Sequence, residues 1–456
     1  MVNIPLEEGK KYILRIKDIG ESGEGIGKIE GFTIFVRGGI PEDKVLIEIT
    51  KVKKNYALGQ IVEIKEKSPY RIDPACPLAH ECGGCQIQNI DYTKQLELKK
   101  NRVSSDIERI GKLENVLVHD TLGMDNPFNY RNKAQFPVGI GGGKTLIGFY
   151  KQGTHEIVSI DECKIQHGIN DKIVEIFKEI IDKNKIPVYD EKTGRGIIRH
   201  ILTRVSYTSG DIMVVIITKG KELPFKDEIV SKLTQGIPKI KSIIQNINPK
   251  KTNVVMGREC KTLHGEDKII DYIGDLKFEI SPLSFFQVNP FQTKILYDKV
   301  LEYAKLTGNE TLVDIYCGIG TISLFLAKQA KKVYGIEVIE AAIEDAKKNA
   351  RLNNLNNVEF FLGKAEEVAP KLYKKGLRAD VVVVDPPRKG CDREVLETIA
   401  MMNPKRVVYV SCKPSTLARD LKILDELGYK TIEVQPVDMF PHTAHVECCS
   451  LLTRKE

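Results

Sequence analysis

The chain has 456 residues, 42% hydrophobic and 29% charged, with 69 Lys and Arg against 62 Asp and Glu for a formal charge of +7. Those proportions are ordinary for a globular protein and exclude wholesale disorder and collagen-like repeats. At roughly 150 residues per domain the length predicts about three domains, and the mild positive excess permits nucleic-acid binding without requiring it.

No apolar run approaches the ~20 residues that cross a bilayer, so no membrane partner is expected. The opening MVNIPLEEGKKYILRI lacks a basic patch leading into an apolar stretch, which argues against a signal peptide and predicts a cytoplasmic protein. In that reducing compartment ten cysteines point to metal or catalytic chemistry rather than to a disulfide framework.

Residues 1–67 predict a small β-barrel. Lys11–Asp18, Phe32–Val36, Lys44–Thr50 and Gly59–Glu66 read as short strands, separated by turn clusters at Glu21–Gly27 and Arg37–Asp43. Its 12 basic and 11 acidic residues nearly cancel, so RNA contact there would fall to local patches such as Lys51, Lys53 and Lys54.

Residues 68–279 read as a central α+β domain. A cysteine-bearing segment leads into a helix at Tyr92–Ile110, with strands near Arg131–Ile140, Ile197–Tyr207 and Asp211–Thr218. The helix could pack on the C-terminal unit instead. Cys76, Cys82 and Cys85 have five and two residues between them, and Cys163 is the best fourth candidate for a four-thiolate site. Spacing alone does not separate tetrahedral zinc from an iron–sulfur cluster. Cys260, Cys317 and Cys391 have no partner pattern and read as unliganded.

From residue 280 to 456 the texture is regular strand–helix alternation, the signature of an α/β, Rossmann-like domain with a mostly parallel sheet. The strands are Thr311–Tyr316, Lys332–Glu337, Val358–Leu362, Asp380–Asp385 and Arg406–Ser411. After the first, Gly318 and Gly320 allow close backbone approach to a ligand, while Ser323 stands where a dinucleotide fingerprint wants a third glycine. Glu337 ends the second strand, where an acid holds ribose hydroxyls, and Asp385 in VVVVDPPRKG faces the same crevice. The set resembles an S-adenosylmethionine-dependent methyltransferase more than a dehydrogenase.

Cys412 lies between a buried strand and a helix opening at Pro414. The helix N-terminus and Lys413 are both expected to lower its pKa and favour the thiolate. Packing, rather than catalysis, is the commoner fate of a free cysteine. His442, His445 and Glu447 precede an apolar strand and are candidate bases, while Cys448 and Cys449 read as strand interior.

SCKPSTLARDL, VDPPRKG, DIYCGIGT, FPHTAHVE and SPLSFFQVNP resemble the RNA (uracil-5-)-methyltransferases, and the match covers essentially the whole chain. The resemblance implies that the barrel is a TRAM (OB-like) RNA-binding domain. It implies Cys412 as the nucleophile that adds to carbon 6 of uracil and Glu447 as the base that removes the carbon 5 proton. Gln287, Tyr316, Glu337 and Asp385 match the family's S-adenosylmethionine-binding positions. It further implies a 4Fe–4S cluster rather than zinc on Cys76, Cys82, Cys85 and Cys163, in a structural role. A TRAM-like domain together with these cysteines looks like the 23S rRNA branch, with no obligate protein partner.

Two stretches interleave rings and cations: Phe128–Phe136 with Arg131 and Lys133, and Gly196–Arg204 with Arg199, His200 and Arg204. In isolation they read as surface charge on strands, and the resemblance turns them into expected RNA contacts. The competing readings are the same chemistry on tRNA, a non-catalytic RNA-binding iron–sulfur protein, and a nicotinamide-dependent oxidoreductase. The non-catalytic reading would predict a lost nucleophile or base, and both are present. Ser323 and the Cys412/Glu447 pair argue against a dehydrogenase.

Overall fold

A computed structural model of the chain describes residues 5–455. Strands β1 (Lys11–Arg15), β2 (Asp18–Ile19), β3 (Gly25–Ile29), β4 (Phe32–Arg37), β5 (Lys44–Val52) and β6 (Tyr56–Glu66) form one sheet in the order β1-β5-β6-β4-β3-β2. The backbone N–H of Lys17 donates to Ile26 O at 2.8 Å, tying the first strand's end to β3 and rolling the sheet around Leu14, Ile16, Ile34, Val45 and Ile47. β3 arises inside the stretch read as a turn. A Cβ on Gly27 would lie 2.7 Å from the Leu14 side chain, so this glycine permits close packing within the barrel as well as the turn before it. Lys51, Lys53 and Lys54 lie at the β5–β6 end, all three exposed there.

Helix α1 (Tyr92–Asp106) starts at Asp91, whose carboxylate accepts from the N–H groups of Thr93 and Lys94. It continues through a wider π-helical turn, Ile107–Gly111, into strand β7 (Leu117–Val118). Both belong with the C-terminal sheet: Val103 and Ile107 pack into the same apolar core as Leu417, Ala418 and Leu421.

The central sheet comprises β8 (Lys133–Gly141), β9 (Lys144–Tyr150), β10 (Ile157–Ser159), β11 (Ile198–Val205), β12 (Ile212–Thr218), β13 (Ile240–Ile247) and β14 (Glu259–Gly265), in the order β10-β9-β8-β11-β12-β13-β14. Helices α2 (Ile169–Asn184) and α3 (Lys226–Gly236) cover one face, where Val214 and Ile216 point; Met213, Val215 and Ile217 point the other way into the core of the C-terminal unit. That two-sided burial explains continuous apolar strands in place of alternation.

The same burial corrects the reading of Arg199, His200 and Arg204 as RNA contacts. All eight residues of β11 are buried. Arg199 donates to Asn248 O and Lys250 O at 2.7 Å each, and Arg204 donates to Ser284 O and Pro282 O. Burial pushes the His200 imidazole down to about 4. Arg199→Met is therefore expected to cost roughly 2–4 kcal/mol by orphaning buried carbonyls. Thermal unfolding measures that loss, while the salt dependence of RNA binding should not change.

The C-terminal unit begins with the hairpin β15 (Ile269–Ile273) and β16 (Leu276–Ile280), then α4 (Pro290–Ala304). The alternating run is β17 (Thr311–Ile315), α5 (Thr321–Ala327), β18 (Lys332–Glu337), α6 (Glu340–Leu352), β19 (Val358–Leu362), α7 (Ala365–Lys374), β20 (Val381–Val384), α8 (Arg393–Met402), β21 (Arg406–Ser411) and α9 (Pro414–Glu426). It closes with β22 (Tyr429–Val437) and β23 (Glu447–Arg454), giving the order β19-β18-β17-β20-β21-β23-β22-β7. The chain reverses direction across the sheet between β17 and β20, where α/β folds open a binding crevice. Among the described residues no helix is long and apolar enough to cross a membrane.

Candidate active site

The strands that feed the crevice lead into candidate residues. Tyr316 follows β17 with a left-handed φ of 68°, and Gly318 and Gly320 continue the turn at 54° and 82°, a path that favours glycine. Glu337 closes β18 with its carboxylate held by backbone N–H groups, from Gly318 at 3.2 Å, Val338 at 2.7 Å and Ile339 at 3.0 Å. Ser323 serves the scaffold instead. Its hydroxyl donates to the buried Asp314 at 2.5 Å, and burial pushes that carboxyl up to about 7. Gln287 is buried just ahead of α4, and its backbone oxygen accepts from Asn132 Nδ2 at 2.9 Å.

Asp385 follows β20 beside Tyr316, since Ile315 pairs with Val384 in the parallel register. Burial raises its carboxyl from 3.8 to about 6. The folded state thus holds the proton more tightly than the unfolded chain, so stability from this group is greatest below about pH 4 and falls as pH climbs to about 6. Asp385→Asn should raise the melting temperature of the ligand-free protein at about pH 7.5, measured by calorimetry, and should lose that advantage at about pH 4.

Cys412 and Glu447 meet through the sheet. β21 and β23 are antiparallel with Ser411 opposite Cys448, so the adjoining Cys412 and Glu447 come together at the end of this pairing. Glu447 is buried, and burial together with Asp385 raises its carboxyl well above the ordinary range, with Arg388 opposing. Two neighbouring carboxylates out of water do not both ionise readily.

The thiol corrects the expectation of a lowered pKa. Burial, then the charges of Glu447 and Asp385, push Cys412 up to about 11 against Arg388. Lys413 does not offset this, because its ammonium pairs with Glu21 of the barrel at 3.1 Å. In the ligand-free protein, alkylation of Cys412 should therefore keep accelerating up to about pH 11.

Residues 438–446, which lead into Glu447, are pinned from several sides. Lys99 and Asp438 form a fully buried ion pair at 2.5 Å, and Tyr92 also donates to Asp438 at 2.9 Å. The N–H groups of Gln86 and Ile87 donate to His442 O at 3.1 and 3.2 Å, and the Phe128 ring stacks on His442 at 4.5 Å. His442 is thus packed into the scaffold. His445 is half-buried, its imidazole pushed down to about 4 by burial. Of the three candidate bases, Glu447 is the one whose charge acts on the cysteine, at the end of the β21–β23 pairing. Arg388, present in VVVVDPPRKG but given no role by sequence reasoning, is the cation that acts on both.

Cys76, Cys82, Cys85 and Cys163 line one cavity of about 410 Å³. Gly83 N–H donates to Tyr150 O at 2.9 Å, fastening the cysteine segment to β9. Burial raises the thiols of Cys82 and Cys85, and Cys163 to about 11. Yet among the described residues no group of three or more Cys, His, Asp or Glu is gathered to hold a metal ion, so the expected four-cysteine metal site is not formed as such. A tetrahedral zinc needs each sulfur about 2.3 Å from one point. Cys317, Cys391, Cys448 and Cys449 are buried, and Cys260 is exposed.

A glycine turn and an acid at adjacent strand ends, on a sheet of this order, define a class I S-adenosylmethionine-dependent methyltransferase. The chain belongs to the tRNA (uracil-5-)-methyltransferase family, whose model matches residues 91–455, and a TRAM domain model matches residues 5–62. It is 53% identical to a Bacillus cereus protein named as an uncharacterized RNA methyltransferase, over 99% of this chain and 98% of that one. A Clostridium tetani protein of the same name is 52% identical over the same shares. Among solved structures, the Pyrococcus abyssi tRNA (uracil-54, C5)-methyltransferase in complex with S-adenosyl-L-homocysteine superposes with a TM-score of 0.78 at 30% identity, covering 97% of this chain and 100% of that one.

Proposed function

We propose that the protein methylates carbon 5 of uridine in 23S rRNA, with Cys412 as nucleophile and Glu447 as base. The observation that carries this reading is the β21–β23 pairing, which ends with Ser411 opposite Cys448, so that the adjoining Cys412 and the buried Glu447 come together at the crevice. Carbon 5 of uracil is a poor nucleophile. Once the Cys412 thiol has given up its proton to solvent, addition of Sγ to carbon 6 moves an electron pair toward carbon 5 and makes it reactive. When bound, S-adenosylmethionine supplies the methyl group as a sulfonium, with Gln287, Tyr316, Glu337 and Asp385 as its holders. Glu447 then takes the carbon 5 proton, and the C–S bond breaks to return the thiolate. The environment that raises the Glu447 carboxyl also makes its ionised form a stronger base. A stacked uridine must flip out to reach Cys412.

The 23S rRNA assignment rests on a TRAM domain combined with the four cysteines. The second reading, tRNA, is favoured by the near-complete match to the Pyrococcus abyssi enzyme, barrel included. Mass-spectrometric mapping of 5-methyluridine in rRNA and tRNA from a deletion strain and its parent decides: loss from 23S rRNA supports the assignment, and loss from tRNA alone overturns it.

Cys76, Cys82, Cys85 and Cys163 are the residues that would hold a 4Fe–4S cluster. Four thiols lining one cavity support this reading, and the preference for a cluster over zinc rests on the family resemblance. Its role would be to brace the segment that bonds to His442. Anaerobically purified protein should contain about four iron atoms per chain, and Cys85→Ser should lose them; stoichiometric zinc in their place would sink the assignment.

A further inference from the structure

Strand β8 opens with a charge problem. Arg131, Lys133 and Gln135 alternate along the chain as it enters this strand, so they share one side, and all three line the cavity that reaches Arg388 and His445 of the catalytic loops. Lys133 also stands directly opposite Arg204 in the β8–β11 register, and like charges so placed repel. None of Arg131, Lys133 or Arg388 has a carboxylate within 4.0 Å among the described residues, although the structure pairs the half-buried Arg71 and Lys268 and the buried Lys99 with acids. The nearby acid, Glu162, is taken by Lys164 at 2.6 Å. Arg204 spends its hydrogen bonds on Ser284 and Pro282 carbonyls, and among the described residues Lys133 Nζ makes no hydrogen bond or ion pair. Three cations lining one cavity, Arg131 and Lys133 half-buried and Arg388 exposed, repel one another and draw an anion into the space between them.

Resting on the proposed function, we infer that Lys133, with Arg131 and Arg388, binds a phosphodiester of the RNA strand next to the target uridine. Arg388 already acts on Cys412 and Glu447, so a phosphate held between it and Lys133 would adjoin the reacting base. Phe440 and Phe149 line the same cavity and offer faces to a neighbouring base. Arg131 also faces Cys85, so a cluster on the cysteines would share its charge, whereas Lys133 and Arg388 would remain for the RNA.

The test uses the full-length protein and a uridine-containing RNA oligonucleotide that the wild type methylates. Lys133→Ala should raise the KM for RNA about tenfold with kcat within twofold, and flatten the salt dependence of RNA binding by about 0.7 in log–log slope. S-adenosylhomocysteine affinity and iron content should be unchanged, and Lys133→Arg should restore most of the affinity. An unchanged salt slope, or a loss of iron that accounts for the weaker binding, would overturn the inference. A wild-type protein that binds S-adenosylhomocysteine yet methylates no uridine would count against the proposed function instead. The salt slope of oligouridine binding by fluorescence would then still test Lys133.

Discussion

Replacing Cys412 with Ala should lower methyl transfer to RNA by about 10⁴-fold or more, while S-adenosylhomocysteine binds within about twofold of the wild-type affinity. The thiol is removed without disturbing what holds the crevice together: Glu337 stays fixed by its three backbone bonds, and α9 still begins at Pro414. Because the thiol is held neutral in the empty site, its loss orphans no charge and should not lower the melting temperature. Glu447→Gln is the complementary variant. It keeps the size and hydrogen-bonding capacity of the buried side chain but has no proton affinity to offer, so methylated uridine should remain attached to Cys412. A slow-clearing protein–RNA adduct on denaturing gels, with peptide mapping to Cys412, is the expected observation. Methylation by the Cys412→Ala protein at the wild-type rate would falsify the mechanism.

The second large effect is on the scaffold. Lys99→Met should destabilise the C-terminal unit by roughly 3–5 kcal/mol, because it leaves Asp438 charged and dry with only Tyr92 beside it. For a cooperative unit of this size that is a fall of roughly 6–20 °C in melting temperature. Lys99 also donates to Phe440 O at 3.2 Å, so the loss extends to the residues that carry Glu447. At temperatures where the variant stays folded and binds S-adenosylhomocysteine normally, kcat should drop by about 10²-fold, the usual cost of a misplacement near 1 Å. Adding Asp438→Leu to remove the orphaned charge should recover stability; failure to do so would mean that the pair does not carry this energy.

Much of the crevice was legible because its residues stand at the ends of strands that announce themselves. Thr311–Ile315, Lys332–Glu337 and Val381–Val384 are short buried apolar runs, and each leads into a glycine turn or ends at an acid. The barrel's third strand was hidden because its glycines look like a turn until Leu14 is seen packed against Gly27. Arg199 and Arg204 misled for a related reason. A cation on a strand reads as solvent-facing unless the carbonyls that satisfy it, from Asn248, Lys250 and Ser284, are known to lie alongside.

By itself the sequence determined the alternating sheet, the residue types at its carboxyl edge and the motifs that mark the family, since periodicity and turn chemistry are local. The tertiary structure alone decided which of those residues act on one another. β23 inserts antiparallel between β21 and β22, and that long-range pairing brings Glu447 to Cys412 and leaves His442 to the scaffold. Lys99 finds Asp438 from 339 positions away. The thiol's pKa is likewise set in space, rising because burial and two carboxylates act on Cys412 while the neighbouring Lys413 is drawn off by Glu21. Burial and charge are properties of what surrounds a residue, and for this site the surroundings come from distant parts of the chain.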